Sequence, residues 1–319
     1  MFVGFLFVNA SLLFHISTHA ATTVREQSDI PVSTQIEVQT TAQISSRTGT
    51  IKVGGKVFTE QNILVDLIKI YLEDKGYKVQ TQKNLGGTFV AYEALKNGNL
   101  DIYVEYSGTA YHTIFKQTKI LSEKKTYVWL KRNFKQENIY IFEDLGFSNA
   151  YVLVISQESI YKSIGDLVEP SPNLQIGTDP EFLNRADGYN NLLKTYGLKF
   201  NKPKTMNVGL MYEALKNKQL DVGAGTSTDG RNKAYNLKIL KDELNFFPKY
   251  HASILAKTSV LQKHSNLESE LMALSGQISD DEMTQMNFEV DALKKSSNMV
   301  AKNFLFKKRL IAYSSTKTE

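Results

Sequence analysis

The chain of 319 residues contains no cysteine, which excludes disulfides, thiolate metal sites and a lipid anchor attached through cysteine after a leader. It also lacks the local signatures of common catalytic centres, with no Gly-x-Ser-x-Gly nucleophile turn and no His-Glu-x-x-His zinc pair. Of the five histidines, His15 and His19 lie at the amino terminus, and His112, His251 and His264 are isolated in the sequence. No metal site is therefore expected. Gly223-Ala224-Gly225 lacks the third glycine of a dinucleotide fingerprint and reads as a tight turn at a strand end. No apolar run outside residues 1–14 approaches the length of a membrane span. The formal net charge of +5 is spread along the chain, with Lys307-Lys308-Arg309 the one tight basic run, which argues against nucleic acid as a partner. No cofactor is implied.

What is present suits a soluble globular protein. Hydrophobic residues make up 42% and charged residues 22%, enough to bury the cores of two domains of ordinary size. Residues 1–14 are mostly apolar, no Lys or Arg precedes them, and Thr18-His19-Ala20 offers a small-residue cleavage site. Residues 1–20 are therefore expected to be a signal segment, which places the protein in the periplasm, membrane-tethered if the segment stays uncleaved. Residues 21–50 shift to Thr, Ser, Gln and Val and read as a flexible leader.

The sequence then states one pattern twice. Tyr92-Glu93-Ala94-Leu95-Lys96-Asn97, followed by Leu100-Asp101-Ile102, returns as Tyr212-Glu213-Ala214-Leu215-Lys216-Asn217, followed by Leu220-Asp221-Val222. Each copy reads as a helix leading into a strand. Upstream, Ile51-Lys52-Val53-Gly54 and Leu174-Gln175-Ile176-Gly177 are brief β-like runs, each followed by a polar loop and a helix, over 61–75 and about 188–196. In the first of these helices Ile63, Leu64, Leu67, Ile68, Tyr71 and Leu72 recur at helical spacing, with Thr59 placed to cap its start and Gly76 to end it. Two β-α-β-α-β halves imply an α/β protein of two lobes with a ligand cleft between them. Lobe 1 is expected over 51–150 and 256–313, and lobe 2 over 151–255. From 257 to 313 the sequence reads as helices, with Leu267, Leu271, Leu274, Phe304 and Leu305 as core formers that complete lobe 1 and Ser279 with Glu282 as a capping box.

Sixteen tyrosines stand against one tryptophan. Tyr106, Tyr151 and Tyr250 fall at strand ends or in turns, where two-lobed α/β proteins hold ligands. Each ring taken singly reads more readily as a core aromatic with its hydroxyl satisfied, but several rings around one point attract a cation that cannot donate hydrogen bonds, such as a quaternary ammonium. Lys56 and Arg185 precede helices whose amino termini favour a carboxylate.

These features resemble the osmoprotectant-binding proteins of ABC importers for glycine betaine, proline betaine, carnitine and choline, over residues 51 to about 311. The resemblance rests on Val53-Gly54-Gly55-Lys56-Val57-Phe58-Thr59-Glu60-Gln61, Asn84-Leu85-Gly86-Gly87-Thr88, Glu105-Tyr106-Ser107-Gly108-Thr109, Glu181-Phe182 with Arg185 and Asp187-Gly188, Ser227-Thr228-Asp229-Gly230-Arg231, and Phe246-Phe247-Pro248-Lys249-Tyr250. It implies a type II periplasmic-binding-protein fold with two crossover strands. It also implies walls for a trimethylammonium group at Tyr106, Tyr151 and Tyr250, a carboxylate grip at Lys56, Thr109 and Arg185, and Asn149 backbone facing the methyl groups. Thr226 stands where relatives often carry a further tyrosine. The loss of one ring is worth about 0.5–2 kcal/mol unless Tyr103, Tyr111 or Tyr235 fills in, and a bulkier cation then fits. With Lys56 and Arg185 both facing the ligand, a carboxylate-bearing amine is favoured over choline. The implied partners are a small betaine-type molecule and an ABC permease in the inner membrane, with the receptor a monomer. A sensory domain using the same cleft is the alternative. An enzyme on this scaffold, such as the tetrapyrrole-forming deaminase, would need a cysteine for its cofactor, and the chain has none.

Overall fold

The computed structural model describes residues 49–119, 121–185 and 187–312, all within one compact unit, Gln43–Glu319. The expected signal segment 1–20, residues 21–48 of the leader and Tyr313 lie outside the described residues.

The first half runs β1 (Thr50–Gly54), α1 (Thr59–Asp74), β2 (Lys78–Gln82), α2 (Thr88–Lys96) and β3 (Ile102–Tyr106), followed by α3 (Glu123–Gln136) and β4 (Ile139–Ser148). After a short connection come β5 (Tyr151–Ser156), β6 (Ile176–Thr178), α4 (Pro180–Asn184), α5 (Tyr189–Tyr196), β7 (Lys204–Thr205), α6 (Val208–Lys216), β8 (Val222–Thr226), α7 (Arg231–Ala234) and β9 (Leu237–Ile239). The chain returns as β10 (His251–Lys257) and ends in α8 (Thr258–Lys263), α9 (Leu267–Met272), α10 (Asp280–Asp291) and α11 (Ser297–Lys307).

Two five-stranded sheets result, ordered β2-β1-β3-β10-β4 and β7-β6-β8-β5-β9. In each, three strands of the repeat are parallel, and the fourth is antiparallel and arrives from the other lobe: β10 in the first sheet, β5 in the second. This is the two-lobed α/β arrangement expected. The sequence boundary at 255/256 moves, however, because β10 pairs from Ala252↔Tyr106 to Ala256↔Ile102 in the first sheet. Residues 251–255 thus belong to the first lobe, and the return crossing lies at Lys249–Tyr250.

The duplication has a packing reason. Leu100 and Leu220 cover the strand glycines Gly54 and Gly177, where an added Cβ would lie 2.4 Å and 2.3 Å from a leucine methyl. Asp101 and Asp221 accept hydrogen bonds from the neighbouring strand at Lys52 N–H (2.8 Å) and Gln175 N–H (2.7 Å). Each Leu-Asp pair therefore locks the start of one strand to the strand beside it. Gly223-Ala224-Gly225 lies inside β8 rather than in a turn.

Helix α1 buries Ile63, Leu64, Leu67, Ile68, Tyr71 and Leu72 against the first sheet, each side chain contributing about 1.5–3 kcal/mol. Its cap differs from expectation. Phe58 is the N-cap residue, and Thr59, already in the first turn, donates its hydroxyl to Asp291 at 2.6 Å. Gly76, at φ +86, follows the carboxyl end. Leu267, Leu271, Leu274, Phe304 and Leu305 join the first-lobe core, and the Ser279–Glu282 capping box is formed.

Candidate functional site

A cavity of about 520 Å³ lies between the two lobes, and Lys56, Tyr106, Thr109, Asn149, Tyr151, Arg185, Thr226 and Tyr250 all line it. These residues come from the β1–α1 loop, the end of β3 and the turn after it, both crossings, the α4–α5 loop and the end of β8. The fold brings them together because both sheets direct the carboxyl ends of their parallel strands at the cleft. The lobes are shut on each other, with Thr88 Oγ1 donating to Glu181 at 2.9 Å and Asn287 Nδ2 donating to the Thr228 carbonyl at 2.9 Å.

At one end Tyr151 and Tyr250 meet edge to face, ring centroids 6.1 Å apart at 79°. The Arg185 guanidinium stands 5.1 Å and 5.5 Å from their centroids. It donates to both Asp187 oxygens at 2.8 Å, to Glu181 at 3.1 Å and to Thr109 Oγ1 at 3.3 Å. Tyr250 donates its hydroxyl to Asp187 as well. Burial alone would raise the Asp187 carboxyl, but the Arg185 charge and these hydrogen bonds outweigh it and hold it below the ordinary value. Burial pushes the phenols of Tyr106, Tyr151 and Tyr250 well above theirs, so all three are neutral.

On the first-lobe side Lys56 is paired with Glu105 at 2.6 Å, its ammonium 4.8 Å from the Tyr106 centroid and 5.9 Å from that of Phe58. The expected preference over choline supposes that Lys56 and Arg185 face one another without an anion. That premise does not hold, because each has its own buried carboxylate partner, Glu105 for Lys56 and Asp187 for Arg185. The first of these pairs is hidden in the sequence, since Glu105 lies 49 residues from Lys56.

Several lining residues carry no signal of their own in the sequence. Phe58 packs on Tyr106 with centroids 6.2 Å apart, whereas Tyr103 and Tyr111 belong to one core, Tyr235 packs against another, and none of the three lines the cavity. The cavity is also lined by Asn207, Gly209, Asp229, Arg231 and Asp291. Arg231 is gripped by Asp229 at 2.8 Å and 2.6 Å and stacks 4.8 Å from the Tyr212 centroid. Glu60, 2% exposed, accepts four hydrogen bonds: Tyr106 hydroxyl at 2.7 Å, Asn149 Nδ2 at 2.9 Å, Thr228 Oγ1 at 2.6 Å and Asn287 Nδ2 at 2.8 Å. Burial nonetheless raises its carboxyl above the ordinary value. The Asn149 backbone N–H is spent on the Tyr250 carbonyl at 3.1 Å.

Comparison with known proteins gives a consistent family. The carnitine transport binding protein OpuCC of Listeria monocytogenes is 38% identical over 266 residues, covering 81% of this chain and 86% of that protein. The ergothioneine transport permease/ergothioneine binding protein EgtU of Helicobacter pylori is 32% identical over 259 residues, 79% of this chain but 46% of that longer protein. The crystal structure of a glycine betaine/carnitine/choline ABC transporter superposes with a TM-score of 0.69 at 34% identity, covering 82% of this chain and 99% of that one. Residues 49–307 match the model of the substrate binding domain of ABC-type glycine betaine transport systems. The chain therefore belongs to that family, and it is the substrate-binding protein of a transporter rather than an enzyme.

Proposed function

We propose that this protein captures a zwitterionic quaternary amine between its lobes and delivers it to an ABC permease, with no chemistry on the ligand. The observation that carries this reading is the convergence of Tyr106, Tyr151 and Tyr250, from three separate segments, on one cavity of about 520 Å³. That volume falls within the ~300–1,000 Å³ of small-molecule sites.

The neutral phenol rings offer negative faces to an ammonium that has no hydrogen to donate. Five carboxylates line the cavity against three basic side chains, which adds to the attraction for a cation. For the ligand's carboxylate, Lys56 has one protein hydrogen bond from its ammonium among the described residues, to Glu105. Two ammonium hydrogens are left for it, with the Thr109 hydroxyl and the second hydrogen of Arg185 Nη2 alongside, both Nη1 hydrogens being taken by Glu181 and Thr109 Oγ1. Thr226 in place of a ring widens the other end, which favours carnitine-sized and larger betaines over the smallest.

The protein works in the periplasm as a monomer without nucleic acid. Among the described residues no helix is long and apolar enough to cross a membrane. Calorimetry with glycine betaine, proline betaine, carnitine, ergothioneine and choline tests the reading. At least one methylated zwitterion is expected to bind more tightly than choline; tight choline binding with silence from every zwitterion would overturn the carboxylate grip, and silence from all five the function itself.

A further inference from the structure

We propose that Glu60 is the positioning residue and counter-charge for the ligand's ammonium, an inference that rests on the function proposed above. Among the carboxylates of the cavity, Glu60 is set apart by its partners. Lys56 is matched by Glu105, Arg185 by Asp187 and Glu181, and Arg231 by Asp229. Glu60 is in no ion pair among the described residues, and all four of its donors are neutral side chains. Asp179 also lacks a basic partner, but one of its oxygens takes the Glu181 and Phe182 backbone amides as the cap of α4. Glu60 takes no backbone amide among its hydrogen bonds.

The four donors come from β3, the first crossing, the loop after β8 and α10. Three of them, Tyr106, Asn149 and Asn287, also line the cavity in which the ammonium is proposed to sit. An ionised carboxylate only accepts hydrogen bonds, so it fixes the Tyr106 hydroxyl and turns the amide hydrogens of Asn149 and Asn287 toward itself. The amide oxygens of Asn149 and Asn287 are buried with no hydrogen-bond partner, which leaves further negative ends of dipoles beside the cavity uncompensated. A carboxylate, two amide oxygens and a phenol ring thus build negative potential at one wall. Burying a carboxylate without a cation is unfavourable, and a permanent cation that needs no hydrogen bond is the group that offsets it. Because the Thr228 bond spans the lobes, the charge is assembled at the cavity when the lobes close.

The experiment compares a betaine found to bind with its carbon isostere, in which the ammonium nitrogen is replaced by carbon: glycine betaine against 3,3-dimethylbutanoate, or carnitine against its carbon analogue. In the wild type the cation is expected to bind far more tightly than the isostere. Glu60→Gln is expected to weaken the cation at least tenfold while changing isostere binding less than threefold, a split that a merely structural role would not produce. Thr228→Val, which removes one donor and keeps the shape, is expected to move the ratio in the same direction by a smaller factor, and it decides the matter if Glu60→Gln does not fold. Equal weakening of both ligands, or an unchanged ratio in the variant that folds, overturns the role of Glu60 while leaving the proposed function intact. A wild type that binds neither a betaine nor choline overturns both.

Discussion

The ends of β3 and β8 occupy the same place in two copies of one folding unit, yet they face the cavity with opposite character. β3 reads Ile102-Tyr103-Val104-Glu105-Tyr106 and ends in a ring, with Glu60 on its hydroxyl and Lys56 on its face. β8 reads Val222-Gly223-Ala224-Gly225-Thr226, stripped of bulk. The pairs Gly54↔Tyr103 and Gly177↔Gly223 fix the equivalence, and Tyr106 and Thr226 each lie three residues further on. The second lobe lacks bulk because α6 already covers that strand: a Cβ on Gly225 would lie 2.3 Å from the Tyr212 hydroxyl oxygen. Duplication therefore kept the scaffold, through the Leu-Asp locks, and left the strand ends free to diverge into a gripping wall and a roomy one.

The comparison breaks most sharply at the two arginines. Arg185 and Asp187 have side chains 2% and 4% exposed, whereas Arg231 and Asp229 have 14% and 7%. Arg185→Met leaves a buried carboxylate uncompensated and is expected to destabilise the fold by about 3–5 kcal/mol. Arg231→Met is expected to have a smaller effect, both read by urea unfolding. The reverse order would mean that the second lobe carries the tighter grip.

The repeated aspartates come next. Asp101→Ala is expected to remove about 1.5–3 kcal/mol, the value of a hydrogen bond to a charged acceptor. Asp221→Ala is expected to remove less, because Asp221 is exposed and water replaces its bond. Equal losses would make the two locks interchangeable.

Thr226→Tyr sharpens the contrast at the cavity itself. Restoring a ring is expected to tighten glycine betaine by about 0.5–2 kcal/mol, a factor of two to thirty, and to weaken a bulkier betaine by crowding. Calorimetry on both ligands reads it.

The smallest expected effect is on pH dependence, where the acids of the two ends diverge. Asp187 is held low, so its contribution to stability is present above the ordinary carboxylate range and fades as the pH falls through its depressed value. Burial raises Asp291 despite Arg231 at 3.8 Å, so the folded state binds that proton more readily. Stability from this group falls as pH rises from its ordinary value through the raised one. Asp291→Asn is expected to gain stability relative to the wild type as the pH rises from about 4, whereas Asp187→Asn is expected to be less stable than the wild type above about pH 4, with the deficit shrinking only as the pH falls below that.

Periodicity and repetition make much of this architecture legible in the sequence. The 3.6-residue spacing in α1, the double Leu-Asp pattern and the tyrosines at strand ends are local signals, and they point to both lobes and to the residues that line the cavity. What the sequence hides is pairing at a distance. Glu105 reads as one more strand residue until β3 is laid beside β1 and its carboxylate meets Lys56, 49 residues away. The first five residues of β10 read as second lobe because insertion between β3 and β4 leaves no local trace. Glu60 follows a threonine placed to cap α1 and so reads as an ordinary first-turn acid; its four partners lie 46 to 227 residues away.

The central claim is that the phenol rings of both crossings and of β3 surround one ammonium. The crystal structure of the protein with a bound betaine tests it most directly. The account predicts the quaternary nitrogen within about 6 Å of the ring centroids of Tyr106, Tyr151 and Tyr250, with the ligand's carboxylate toward Lys56, Thr109 and Arg185. A betaine seated outside this cavity, or inside it with its nitrogen away from all three rings, would contradict the account.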